Sequence, residues 1–452
     1  MDVPEQYMQN MQKLLGDAFN DFAASFSMPS FHALRVNTLR SGADENIIKL
    51  PFVTDRVPYV QNAFFVAAGE KPSRHPYHAA GLYYLQEPSA MLPADRLPVH
   101  EGNLVLDLCA APGGKATAIL AKLNGTGILV ANDISVSRTQ ALVSNLTYTG
   151  ADNYFVTAES PEHLAKSYGA VFDSIIVDAP CSGEGMFRKD PSLIRDWISK
   201  GPGHYVPIQR QILANAVSLL KNGGYLLYST CTFSTAEDEE QIIWLLEQYP
   251  CMHPVPLAPS DGLMQGFKGL SCALRAFPHK ISGEGHFLAL LQKKDGDDPV
   301  TTMQSIPLNA HPLPNEFDHL TQMMRQMPDR KRLMIHKDHL YYLPADYERI
   351  YRRDIRFQRT GLLLGEIKNG HFKPAQAFAL SLNADDFENV CNLPSDDERV
   401  IRYLRGETIP FDLPGIPDNE DLLFCTDNYA LGFAKKSRNM LKNRLNPHFR
   451  WM

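Results

Sequence analysis

At 452 residues the chain is too long for one compact core, and its 44% hydrophobic and 21% charged content is ordinary for a soluble globular protein of two to four domains. No apolar run is long enough to span a bilayer and Met1-Asp-Val-Pro-Glu5 lacks a secretory pattern, so no membrane partner and a cytoplasmic location are expected. Seven cysteines without a CxxC pair argue against a disulfide framework or a metal site, and a net charge of −7 predicts no nucleic-acid partner unless one domain carries a basic face.

Residues 1–75 read as a small appended N-terminal domain. It has a helical opening through Tyr7, Met8, Met11, Leu14, Leu15 and Phe19, then an alternating strand over Ala33–Arg40. Arg35 and Arg40 read as solvated strand ends, with RNA contact as the less simple reading. From 76 to 293 strands and helices alternate, which predicts an α/β domain built on a doubly wound parallel sheet. The strands fall at Leu104–Leu108, Gly127–Asn132, Tyr154–Thr157, Ser174–Asp178 and Tyr225–Ser229, and helices at Ala116–Leu123, Ser135–Tyr148, Ile208–Leu220 and Ala236–Gln248. Ser234-Thr-Ala-Glu237 fits a capping box for the last helix, and Arg275–Phe277 and His286–Gln292 supply late strands. A polar linker is expected at 294–314, followed by a basic auxiliary region at 315–385. There Arg330, Arg332, Arg352 and Arg356 alternate with Tyr341, Tyr347, Tyr351 and Phe357, suiting either RNA or a solvated face over an aromatic core. A basic C-terminal module at 386–452 carries Lys435, Lys436, Arg438, Lys442 and Arg444.

Three strands end in loops that carry chemistry. Asp107-Leu-Cys-Ala-Ala-Pro-Gly-Gly-Lys115 is a small-residue turn into a helix, which lets a nucleotide-like cofactor approach backbone N–H groups. It is neither a Walker A loop nor GxGxxG. Asp133 follows the second strand, where a carboxylate commonly takes ribose hydroxyls; the alternative is a helix cap. Asp178-Ala-Pro-Cys181 and Ser229-Thr-Cys231 end two more strands, and a sheet ordered 3-2-1-4-5 brings Cys109, Asp178 and Cys231 to one cleft. The spacing of these thiols does not suit zinc.

These three ordered motifs, with Arg35-Val-Asn-Thr-Leu39 and Gln86-Glu-Pro-Ser-Ala-Met91, resemble the Sun-type RNA cytosine-5 methyltransferases. Ala430-Leu-Gly-Phe433 and Met440-Leu-Lys-Asn443 before Arg450-Trp451 are similar to bacterial RsmF-like small-subunit (16S) rRNA enzymes with a PUA-like RNA-binding domain. The resemblance implies a class I, Rossmann-like catalytic domain and S-adenosylmethionine as cofactor. Cys109, Ala110, Ala111, Pro112, Gly113, Gly114, Lys115, Asp133 and Asp178 would hold it, with Arg138 beside them. Relatives usually carry an Asp after the third strand; here Glu159 or Ser160 must cover the adenine side. The resemblance makes Cys231 the nucleophile that adds to cytosine C6, and Cys181 the residue assisting proton removal and product release. DNA cytosine enzymes use the Pro-Cys thiol instead, so residue type alone leaves both open. Asp178 would read the cytosine N3/N4 edge in a protonated or donor form, Lys115 would steer Asp178 or neutralise phosphate, and Arg188 and Lys189 would meet the target phosphate. The implied partner is 16S rRNA or the small ribosomal subunit, taken by a monomer. A tRNA enzyme and a non-catalytic ribosome-assembly factor are the alternatives.

Overall fold

The computed structural model describes residues 3–294, 313–411 and 414–451, so most of the linker expected at 294–314 lies outside the described residues. A ten-stranded sheet dominates the centre. Its parallel part runs Tyr154–Thr157, Ile128–Asn132, Leu104–Asp107, Phe172–Asp178, Leu220–Thr230, which is the expected order 3-2-1-4-5. These strands are continuous apolar runs because both faces are covered. Leu106, Val130 and Ile175 enter one buried cluster while Val105, Leu129 and Ile176 enter the other. The late strands form as Ala273–Ala276 and His286–Lys293, both antiparallel additions beyond Leu220–Thr230.

Several elements depart from expectation. The helix expected from Ile208 begins at Pro202, where Pro occupies a first-turn position that needs no N–H, and it runs straight into the Leu220–Thr230 strand. The capping box at Ser234 and Glu237 does not form. The helix starts at Glu239, and the Glu237 carboxylate turns into the protein to take Ser182. The strand expected over Ala33–Arg40 stops at Val36.

Arg35 and Arg40 are buried, at 8% and 5% exposure, and so are neither solvated strand ends nor RNA contacts. The Arg35 guanidinium donates to Gln86 Oε1 (2.6 Å), Gly114 O (2.8 Å) and Thr117 Oγ1 (2.6 Å), clamping the N-terminal sheet at 33–86 onto the Gly114–Leu123 helix. Arg40 donates to Leu380 O and Leu382 O, tying the same N-terminal segment to the C-terminal half. A second unexpected join is the Phe357–Thr360 strand, which pairs antiparallel with Tyr154–Thr157 and extends the central sheet at its far edge. Tyr347, Ile350 and Ile355 pack into the central core, Tyr351 stacks on Phe357 at 5.4 Å, and Phe357 in turn packs against Phe155 at 5.1 Å. The aromatic residues of this basic stretch are thus largely core, not a platform for bases. A four-stranded sheet at 333–374 and a five-stranded sheet at 390–443 follow.

Arg275, 1% exposed, shows how the sheet end is held together electrostatically. Its guanidinium lies 2.6 Å from Glu239 and 2.9 Å from Asp238, and it donates to Phe233 O at 3.1 Å. Removing one member of such a buried set strands the others. Arg275→Ala is expected to lower the unfolding free energy by about 3–5 kcal/mol, read as the shift in a urea denaturation midpoint.

Candidate active site

The site lies at the carboxyl edge of the parallel sheet. Strand register pairs Asp178 with Ser229, so the loops that leave these two strands, carrying Cys181 and Cys231, emerge side by side. The two sulfurs are 3.4 Å apart, within S–H···S distance. That hydrogen bond first, and burial second, push the Cys181 thiol well above its ordinary range. The nearby Glu237 carboxyl raises the Cys181 thiol further.

Asp178 heads the cleft. Its carboxylate accepts from Lys115 Nζ at 2.7 Å and Ser229 Oγ at 2.8 Å, and stands 3.3 Å from His286 Nε2. Burial alone would raise its pKa, but the Lys115 charge and the His286 and Lys115 hydrogen bonds outweigh burial and hold it well below the usual carboxylate range. The protonated, donating Asp178 expected from sequence is thus corrected to an ionised acceptor. Lys115, 8% exposed, is raised by the same partner against the opposing effect of burial.

On the cofactor side, Gly113 turns at φ +118° into the Gly114–Leu123 helix, and a Cβ there would meet Leu142 at 3.2 Å. Ala110 N donates to Asn132 O at 2.7 Å, which fixes the Cys109–Pro112 turn against the next strand. Ser135, not Asp133, caps the Val136–Thr149 helix. Asp133 is 2% exposed; one oxygen accepts from Ser135 N and the other makes no hydrogen bond, although Arg138 Nη1 stands 3.1 Å away. Arg138 also donates to Ala111 O at 2.7 Å, bridging the turn and Asp133. Asp107 is fully buried with both oxygens free of hydrogen bonds, and burial pushes it up to about 8 despite Lys115. Cys109 is partly buried, and burial and neighbouring carboxylates raise its thiol. A turn bare of side chains beside buried, open carboxylate oxygens fits a ribose-bearing, positively charged cofactor.

Ser160 caps the Pro161–Tyr168 helix through His163 N at 3.2 Å. Glu159, 5% exposed, accepts from Arg356 N at 2.9 Å and pairs with His163 at 2.8 Å, so both side chains after the third strand are engaged by protein. Arg188 does not reach for phosphate. Its guanidinium is bound by Glu284 at 2.8 Å and by Ser25 O at 2.8 Å, while Lys189 is exposed. Among the described residues no three His, Cys, Asp or Glu side chains gather as a metal site, and no helix is long and apolar enough to cross a membrane. Sequence reasoning missed His286 beside Asp178, and Glu184 and Glu237 beneath the cysteine loops. Glu184 lay within a motif already singled out, and Glu237 within a segment that mimics a helix cap.

Residues 94–292 match the family model described as 16S rRNA methyltransferase RsmB/F, and residues 3–88 the N-terminal domain of 16S rRNA methyltransferase RsmF. The first C-terminal domain of RsmF rRNA methyltransferase matches at 317–382 and the RsmF PUA domain at 391–451. The chain is 31% identical to the ribosomal RNA small subunit methyltransferase F of Erwinia tasmaniensis, over 97% of this chain and 95% of that one. It is 29% identical to the protein of the same name from Escherichia coli O157:H7, with the same coverage. Among solved structures, a methyltransferase homolog from Pyrococcus horikoshii superposes with TM-score 0.57 at 26% identity, covering 65% of this chain and 96% of that one. NSun6 from Pyrococcus horikoshii with SFG gives TM-score 0.56 at 21% identity, covering 65% and 99%, a likeness of fold.

The buried acids make stability depend on pH. Burial pushes Glu237 up to about 7 from an ordinary 4.5, so its contribution is complete below the lower value and is lost as pH rises through the higher one. Between about pH 5 and about pH 8.5 this group is expected to cost ~2–3 kcal/mol of unfolding free energy. Denaturant midpoints at the two pH values should show a smaller drop in Glu237→Gln than in the unaltered protein.

Proposed function

This chain belongs to the RsmF branch of the S-adenosylmethionine-dependent 16S rRNA methyltransferase RsmB/F family, and from that premise we propose that it methylates C5 of cytosine in small-subunit rRNA. The observation that carries the C5 chemistry is the pair of thiols 3.4 Å apart beside an ionised Asp178. C5 of cytosine is a poor nucleophile until a thiolate adds to C6 and pushes electron density onto it. Cys231 supplies the thiolate, supported by the thiol of Cys181 3.4 Å away, which the neighbouring sulfur and burial push well above its ordinary range. S-adenosylmethionine, when bound, supplies the electrophilic methyl group; the Cys109–Lys115 turn, Asp133 and Arg138 would hold it. Asp178 accepts from the exocyclic N4 amino group and so rejects uracil, which presents a carbonyl there. Loss of the C5 proton then restores the C5–C6 double bond as the Cys231–C6 bond breaks. Cys181 assists both: having first given its own proton to solvent, its sulfur takes the C5 proton and, protonated again, donates a hydrogen bond to Cys231, which leaves as thiolate.

A cytosine reaches thiols set in a cleft at the sheet edge only when it is taken out of its stack, and on this reading the remaining domains hold the RNA. Arg438, Lys442, His448 and Arg450 are exposed on the PUA module and suit phosphate contacts. The N-terminal domain completes the grip, and the protein acts as a cytoplasmic monomer.

Two variants separate the thiols. Cys231→Ser should abolish transfer of labelled methyl to unmodified small subunits and form no covalent complex. Cys181→Ser should accumulate a protein–RNA adduct that survives denaturing electrophoresis; methylation persisting in Cys231→Ser but lost in Cys181→Ser would reverse the assignment. On the cofactor side, Asp133→Asn should weaken S-adenosylhomocysteine binding by about 10-fold or more in calorimetry, as expected for losing a charge-assisted hydrogen bond.

A further inference from the structure

The two cysteine loops are cross-linked by carboxylates that neither touch the cleft nor take part in the steps above. Glu184, 5% exposed, sits in the loop of Cys181 and accepts from the backbone N–H of Phe233, in the loop of Cys231, at 3.0 Å. Glu237, fully buried, comes from the segment after Cys231 and accepts from the backbone N–H of Ser182, next to Cys181, at 2.9 Å. Each loop therefore grips the main chain of the other. Both carboxylates are themselves fixed: Trp197 Nε1 donates to Glu184 at 2.9 Å, and Gln209 Nε2 donates to Glu237 at 3.1 Å while also holding Pro180 O at 3.0 Å. Between them run the Ser182 and Thr232 hydroxyls, 2.8 Å apart, and the Ser182 hydroxyl also donates to Glu237. Gly185 N donates to Cys231 O at 2.9 Å, and a Cβ on Gly185 would stand 3.0 Å from that oxygen, so the loops approach as closely as bare backbone allows.

Burying a carboxylate costs free energy unless it is hydrogen-bonded, and here two are buried to make loop-to-loop bonds that neutral residues would make more cheaply. A carboxyl oxygen bonded to a backbone N–H of the opposite loop fixes that loop's main chain directly, and thiol chemistry between two sulfurs is sensitive to their separation. We propose that Glu184 and Glu237 are positioning residues, a reciprocal pair of carboxylate clamps that holds the sulfurs of Cys181 and Cys231 at working distance. The inference rests on the reading of these thiols as the reacting pair, and it names what sets their geometry.

The test reads sulfur separation independently of catalysis. Phenylarsine oxide bonds both sulfurs of a close dithiol at once, and Cys181→Ser defines the background from the other cysteines. In full-length protein, Glu237→Ala is expected to weaken arsenical binding at least tenfold and to lower kcat for methyl transfer at least tenfold, with KM for small subunits within twofold. Glu237→Gln, which keeps an acceptor for Ser182 N, should restore most of both losses, and Glu184→Gln against Glu184→Ala should repeat the pattern at the other clamp. Circular dichroism and melting temperature select the variants that remain folded. Arsenical binding unchanged in folded Glu237→Ala and Glu184→Ala would overturn the clamp, whether or not kcat falls. If Cys231→Ser proves active, the reaction scheme fails while the arsenical arm still decides the geometry.

Discussion

Everything at the site depends on one register, the pairing of Asp178 with Ser229 on adjacent parallel strands. Because one strand stops at Asp178 and the other one residue beyond Ser229, the loops that follow leave the sheet together, and Cys181 and Cys231 meet 3.4 Å apart without any long segment reaching across. The same alignment sets Ser229 Oγ 2.8 Å from the Asp178 carboxylate, so the strand ends bring the thiols and this carboxylate to one cleft. A slip of one residue would turn every side chain to the opposite face.

The site is also an exercise in burying acids. Asp107, Glu184, Glu237, Asp238 and Glu239 are buried around the half-buried Asp178, with Lys115 and Arg275 as the cations among them. The cations are placed selectively. Lys115 keeps Asp178 ionised, and Arg275 keeps Glu239 below its ordinary range once burial is outweighed by its hydrogen bond, whereas Asp107 and Glu237 are left to burial and rise. Ionised and near-neutral carboxyls thus coexist in one small volume, each set by the balance of burial against its own hydrogen bonds and nearby cations.

The central sheet was legible because its strands are buried on both faces and so read as unbroken apolar runs, such as Ile175, Ile176 and Val177 before Asp178. The three motif loops were legible because glycine, proline and cysteine at strand ends have few other uses. What escaped depended on partners far away in the chain. Arg35 looks like a solvated strand end until Thr117, 82 residues on, is seen to accept from it. Phe357–Thr360 is too short and polar to announce a strand, and becomes one only because Tyr154–Thr157 presents an open edge. Glu237 has the right spacing to cap its own helix, and only the tertiary fold turns it toward Ser182. Arg188 sits next to the Cys181 loop in sequence, yet Glu284, 96 residues away, takes its charge.

The most direct measurement is transfer of labelled methyl from S-adenosylmethionine to unmodified small ribosomal subunits, deproteinised 16S rRNA and tRNA. Each RNA is digested to nucleosides and the labelled base identified by mass spectrometry. The account predicts 5-methylcytosine in small-subunit rRNA, with transfer lost when Cys231 is replaced by serine. Label on another base, or on another atom of cytosine, would contradict the covalent chemistry assigned to Cys231 and Cys181; 5-methylcytosine in tRNA alone would keep that chemistry and contradict the substrate.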